Sequence, residues 1–405
     1  MADTRVPRRG KIRLGVVEGD LRAEADTEID VDGRLSVSGD ARFDGNSEVR
    51  GDMECRSFRS ADGRVHVMGH LFVNEDLEAH DSAVDVDGEL KARRVDADRG
   101  LTVGGPASAE QFEVGGKLEG AQTLTAKSVS VGGKFRLAGK LTAEMVEAGG
   151  SVDLHDVALD SLEVGGVVEL AGGIIRRSIE VGGRFLSSAP FEFGTLEVGG
   201  LAQFRDLAKG GRIEAGGIMN ADRDLTFDEL EIGGLGSIGG NGKGRSVSVG
   251  GKFTVHGSLE LTGSLEVGGS VSVGEALSGA ILDVGGRIDA RRAVFSGKVD
   301  IGGAVTTREG LKGAEVRLRR RSRARGPIVG NYVRLETKGG AEDIYGDTVE
   351  LEEKAEAARV FGRRVVLGEG SMVAEVSYTE SLEIREGARV RSPPQKVAQL
   401  PPFPL

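Results

Sequence analysis

The sequence has no tryptophan, a single cysteine and almost no proline before its last thirteen residues. Aromatic residues make up only 4% of its 405 positions, so the expected interior is thin and filled by small or branched side chains, without room for bulky rings. The lone Cys55 excludes an intramolecular disulfide framework and fits a reducing compartment. No apolar run approaches the roughly eighteen residues that a membrane-spanning helix requires. Residues 1–20 hold no apolar run of the secretory type, so the expected location is the cytoplasm. A net charge of −11 disfavours nucleic-acid binding, which depends on neutralising phosphates.

Glycine, by contrast, is abundant, at 65 residues. With so little proline and no G-X-Y period, collagen is excluded. The glycines instead mark an internal repeat, in which an apolar residue is followed by one variable residue, usually Gly, and then Gly. Its first positions are Val103, Val114, Val131, Ala148, Val164, Val181, Val198, Ala215, Ile232, Val249, Val267, Val284 and Ile301. From Val114 onward the steps stay within one residue of 17. Upstream the register is carried through Val31, Val49, Val67 and Val86. The short step from Val103 to Val114, containing Pro106, reads as a bulge or truncated coil.

Around each glycine pair, apolar residues fall on alternate positions, as in Leu265-Glu-Val-Gly-Gly-Ser-Val-Ser-Val273. Such alternation specifies half-buried strands, and no helical period competes with it. Seventeen residues hold about three short strands with turns between them, which is one coil of a parallel β-helix. The spacing therefore predicts an all-β chain of about seventeen to twenty-two coils, right-handed because left-handed hexapeptide helices require strict multiples of six. Corner roles fall to Gly116, Gly133, Gly183, Gly200, Gly251, Gly269, Gly286 and Gly303, where a missing Cβ permits positive φ or close backbone approach. A phosphate-cradling role would require a helix after the glycines, and another strand pattern follows instead.

A second block begins after a break. Ile328, Ile344, Val360 and Val376 each open a 16-residue unit with an apolar-x-Gly-x-x-Val-x-Leu pattern, and Tyr378 replaces the glycine in the last. The implied organisation is a basic flexible tail (1–13), a long β-helix (14–311), an Arg-rich break or linker (312–327), a C-terminal β-helical block (328–391) and a Pro-rich arm (392–405). That arm is expected not to continue the ladders, because proline lacks an N–H.

The C-terminal residues Asp343-Ile-Tyr-Gly-Asp-Thr-Val-Glu-Leu351 and Tyr378-Thr-Glu-Ser-Leu-Glu-Ile-Arg-Glu-Gly387 resemble the bactofilin-like, polymer-forming cytoskeletal proteins. The N-terminal segments Val31-Asp-Gly-Arg-Leu35 and Val49-Arg-Gly-Asp-Met53 carry a weaker likeness. This resemblance implies a right-handed β-helix that assembles end to end without nucleotide, in some members at a membrane. The long run of Val-Gly-Gly coils departs from that family in length and regularity.

A search for chemistry yields no catalytic constellation, and neither a metal nor a cofactor is expected. His66 and His70 are four apart, but a zinc site requires further ligands. The acidic stretch from Glu75 to Asp87 lacks both the β-roll and the EF-hand calcium patterns. Two basic segments stand out: Arg5, Arg8, Arg9, Lys11 and Arg13, and then Arg317, Arg319, Arg320, Arg321, Arg323 and Arg325. These are candidate contacts to an anionic membrane surface or an acidic protein partner. Val376, Tyr378, Leu382 and Ile384 on the terminal coil form the candidate polymerisation interface, with a second copy of the chain as partner. The expected function is a non-enzymatic, self-assembling scaffold. The alternative is a β-helical module that recruits other proteins, and a carbohydrate-active enzyme is the least supported.

Overall fold

The computed structural model of the chain describes residues 3–402. It is an all-β parallel solenoid of about 23 turns with a coil spacing near 17 residues. No helix occurs among the described residues, and so none is long and apolar enough to cross a membrane. The chain forms two units, Met1–Gly200 and Leu201–Leu405.

In the first unit a typical coil consists of three short strands. Arg94–Ala97, Gly100–Val103 and Ala107–Ser108 form one coil, and Gln111–Val114, Lys117–Gly120 and Leu124–Thr125 form the next. Each strand pairs in parallel with the strand 17 residues later, Phe112 against Val129 and Leu118 against Phe135. Every second side chain points inward, so Phe112, Val114, Leu118 and Leu124 are all buried.

This register corrects the upstream threading of the repeat. Val114 stacks on Ala97, not on Val103. Val103 belongs to another face of the same coil, with Val86 on one side and Gly120 on the other. No coil is truncated: more than one face carries an apolar residue followed by Gly-Gly, and the motif alone does not reveal which face it occupies.

The N-terminal segment is likewise ordered. Strands Thr4–Val6 and Lys11–Val17 pair with Leu21–Ala23 and Thr27–Asp44, so residues 4–13 belong to the first coil and are not a flexible tail. Met1 and Ala2 of the expected tail, and 403–405 of the Pro-rich arm, lie outside the described residues.

In the second unit the same three-strand coil recurs, as in Ser246–Val249, Lys252–Val255 and Leu259–Leu261. The expected Arg-rich break at 312–327 is not one. Ala304–Leu318 and Arg323–Arg325 are strands, and Leu311 and Leu318 pair directly with Ile328 and Leu335. The arginines occupy outward positions, while Val316, Leu318 and Ala324 between them face the core. Alternation therefore persists beneath the charge, and the 16-residue block stacks directly on the 17-residue one.

The interior also holds more rings than composition suggests. Phe112, Phe135, Phe185, Phe204, Phe253 and Phe295 are among the largest fully buried side chains. Inward-facing glycines make room for some of them. A Cβ on Gly236 would lie 3.0 Å from the ring of Phe253, and one on Gly279 would lie 2.9 Å from that of Phe295.

The corners use glycine for two different reasons. None of the glycines in the Val-Gly-Gly corners has a positive φ. The constraint there is close approach: in the first unit it acts on both glycines of a pair, as at Gly132 and Gly133, each 2.4 Å from a carbonyl oxygen of the preceding coil, and in the second unit mainly on the second glycine. A Cβ on Gly269 would sit 1.9 Å from the Gly251 carbonyl oxygen, and one on Gly286 would sit 1.8 Å from that of Gly269. The first glycines, Gly268 and Gly285, have 3.6 Å of clearance. From Arg321 on, through the C-terminal block, left-handed corners occur instead, at Arg321, Lys338, Lys354, Gly370 and Gly387. Gly286→Ala is accordingly expected to destabilise by about 1–3 kcal/mol, since backbone must move to relieve the clash, whereas Gly285→Ala changes stability by less than about 0.5 kcal/mol. Denaturant titration of the two variants checks this, and equal losses would refute close approach as the reason for the second glycine.

Candidate self-assembly edge

The last full coil of the second unit lies in the strand Met372–Ile384, which pairs along its inner side with Glu356–Leu367. Val376 stacks on Val360, Leu382 on Val365, and Ile384 on Leu367. These are inward columns: Val360, Val365 and Leu367 are buried. Alternation thus places Leu382 and Ile384 on the core side and Ser381 on the solvent side, over Arg364.

The outer side of this strand is only partly covered. After a corner at Gly387, Arg389–Val390 pairs with Met372 and Val373, and Gln395–Lys396 pairs with Ser377 and Tyr378. The Pro-rich arm therefore does continue the ladder, contrary to expectation. Its prolines flank the paired residues, and the N–H of Val397 donates to the Tyr378 carbonyl at 2.9 Å. This cover separates the four proposed interface residues. Val376 is only 2% exposed, and Tyr378 lies beneath the returning arm.

Residues 381–384 have no strand on their outer side among the described residues. Here the core columns run out into solvent: Leu382 is half-buried and Ile384 is 48% exposed. The outward Glu383 accepts a 2.9 Å hydrogen bond from Arg385. Next to it, the Arg363 guanidinium holds the Glu380 carboxyl below its usual range. The open edge is thus an apolar pair framed by self-neutralised charges. In the first unit, Ile12 and Leu14 of the opening coil are likewise only half-buried over Ile29 and Val31.

The N-terminal basic segment does not form a cationic patch. Arg5 pairs with Glu24, Arg8 and Arg9 with Asp26, Lys11 with Glu28 at 2.7 Å, and Arg13 with Asp32 at 3.0 Å. Each partner lies one coil further on, so the N-terminal basic run is locally neutralised.

The second run is divided among three surroundings. Arg317 donates to Glu336 at 2.6 Å. Arg319 folds back onto Asp300 at 2.6 Å and onto Asp283 at 2.9 and 3.0 Å, and the hydrogen bond to Asp300 leads the effects that raise its pKa above the ordinary value. Arg320 and Arg321 occupy an exposed corner, whereas Arg323 and Arg325 face outward from the following strand.

The histidines do not converge. His66 contacts Asp87 at 3.0 Å, while His70 stacks on Phe72 and accepts the Glu89 N–H at 2.9 Å. Cys55 is fully buried, and burial pushes its pKa up to about 12, so it is not a reactive thiolate. No protein-family model, curated protein or solved structure matches the chain.

The Arg319 cluster yields a prediction. Asp300 is 7% exposed, and Lys298 at 3.4 Å is its other cationic neighbour. Arg319→Ala is expected to cost about 1–2 kcal/mol, a figure reduced for the partial exposure of the arginine. Arg320→Ala should lie within about 0.5 kcal/mol of the parent. Thermal and denaturant melts distinguish the two, and indistinguishable variants would show that the pair contributes nothing net.

Proposed function

We propose that the chain is a non-enzymatic cytoplasmic scaffold that assembles with copies of itself through the open edge at residues 381–384. The observation carrying this reading is the exposure of Leu382 and Ile384, which continue buried core columns beside an unpaired strand side. Unpaired backbone groups beside apolar side chains are a template for a further strand. A second copy that docks there extends the ladder and covers both residues. The likeness to bactofilin-like proteins supports the same reading, as does the evenness of the coils, which offers rigidity and few protruding loops from which to build an active site.

Leu382→Arg places a charge on a surface that docking must desolvate, and an unpaired buried charge costs several kcal/mol. Ser381→Arg adds the same charge on the solvent side. Negative-stain microscopy and sedimentation without nucleotide are expected to show polymers for the parent and for Ser381→Arg. With Leu382→Arg the polymers should be lost or shortened while circular dichroism remains β-rich. Full-length polymers with Leu382→Arg would exclude this edge as the joint, and a parent that stays monomeric at high concentration would reject self-assembly.

A further inference from the structure

A trough of about 1110 Å³ crosses five successive strands on one face of the second unit. Arg323, Gly340, Glu356, Met372 and Arg389 stack in register across it. Two residues further along each strand, Arg325, Glu342, Ala358, Ala374 and Arg391 form a second line of its lining. The floor is low because Gly340, Ala358 and Ala374 are small.

Charge along the trough is patterned. An arginine pair stands at each end, the two glutamates lie near the first pair, and Met372, 51% exposed, lies with the alanines near the second. Arg323 is partly engaged by Glu356 at 3.7 Å, and Glu342 accepts the Gly326 N–H at 2.8 Å. Arg325, Arg389 and Arg391 have no carboxylate within ion-pair distance among the described residues. On a chain of net charge −11 whose other arginines mostly face acids, three uncommitted guanidinia at one trough are unusual.

The dimensions select a ligand. Coils repeat about every 4.8 Å, so the arginine pairs lie about 19 Å apart, too far to converge on one small anion. Alternate side chains of an extended peptide are about 6.8 Å apart and point the same way, so residues i and i+6 span about 20 Å. Residue i+2 then falls between Glu342 and Glu356, and residue i+4 falls over Met372 and Ala374. The central glutamates would repel a continuous polyanion.

From this match we infer that the trough docks an extended peptide of another protein, with acidic side chains at i and i+6, a basic one at i+2 and an apolar one at i+4. The trough's inner strands are paired on both sides, so recognition runs through side chains and not through strand addition.

The test uses the full chain and two heptapeptides of identical composition, labelled for fluorescence anisotropy at low ionic strength. Glu-Thr-Lys-Thr-Val-Thr-Glu is expected to bind at least tenfold more tightly than Lys-Thr-Glu-Thr-Glu-Thr-Val. The double variant Arg389→Glu, Arg391→Glu should lose at least tenfold for the first peptide. The charge-matched control Arg136→Glu, Lys140→Glu, placed in the first unit, should lose less than twofold. No binding of the first peptide, or equal binding of both, overturns the proposal without depending on how any variant folds. Tighter binding of heptaglutamate would point to a continuous polyanion and overturn it as well.

Discussion

The parallel backbone ladder is the constraint on which everything else in this molecule depends. Hydrogen bonding between successive coils holds them about 4.8 Å apart, and whatever occupies one position of a coil therefore meets its counterpart in the next. At the Val-Gly-Gly corners that spacing brings the carbonyl of one coil to within 1.8–2.4 Å of where a Cβ would stand on the second glycine of the next, as at Gly133, Gly251, Gly286 and Gly303. The repeat of the second glycine follows from that distance and not from unusual dihedrals. In the C-terminal block the turn is left-handed at Lys338 and Lys354, which tolerate it at some cost, and at Gly370 and Gly387, which do so freely.

The same spacing governs charge. Stacking in register would set like residues side by side, and much of the sequence answers by offsetting the signs from coil to coil. Arg136 meets Asp153, Arg291 lies between Glu275 and Glu309, and Arg359 meets Asp343. These pairs are exposed and individually contribute about 0–1 kcal/mol; their effect is to keep stacked columns from repelling. The column Glu147, Glu163, Glu180 and Glu197 is an exception, because these residues stack in register with no ion pair among the described residues.

Features local in sequence were legible from it, and those created by stacking were not. The Val-Gly-Gly period specified the strands and the parallel solenoid, but not which glycine of a corner is crowded. The continuity of the C-terminal block was hidden, because the arginines around Val316, Leu318 and Ala324 read as a charged linker although the alternation beneath them is intact. The basic N-terminus looked free for the same reason: Arg5 and Lys11 find Glu24 and Glu28 only once coil registers are known. At the candidate edge, alternation correctly placed Leu382 and Ile384 inward. It gave no sign that Gln395–Lys396 would return to cover Tyr378. Arg389 and Arg391 drew no notice in the sequence, since only stacking sets them opposite Arg323 and Arg325 across one trough.

A ladder that satisfies every interior coil leaves its difficulty at the ends. In the second unit the chain resolves most of it by winding a further partial coil after Gly387, so that Arg389–Val390 and Gln395–Lys396 pair in parallel with two stretches of the last coil. A coil of that kind could have run on past residues 381–384. Instead the chain reaches Pro401 and Pro402, which have no N–H to donate to a further ladder. What remains open is one strand length whose two inward side chains are leucine and isoleucine, flanked by a Glu383–Arg385 pair that already satisfies itself. An edge protected against association usually carries an inward charge, a bulge or a proline within the strand. Residues 381–384 carry no inward charge and no proline, although the register of the strand shifts just before them, between Tyr378 and Ser381, and the chain places prolines a few residues beyond. Cover over two stretches of the last coil thus limits its open apolar stretch, among the described residues, to Leu382 and Ile384.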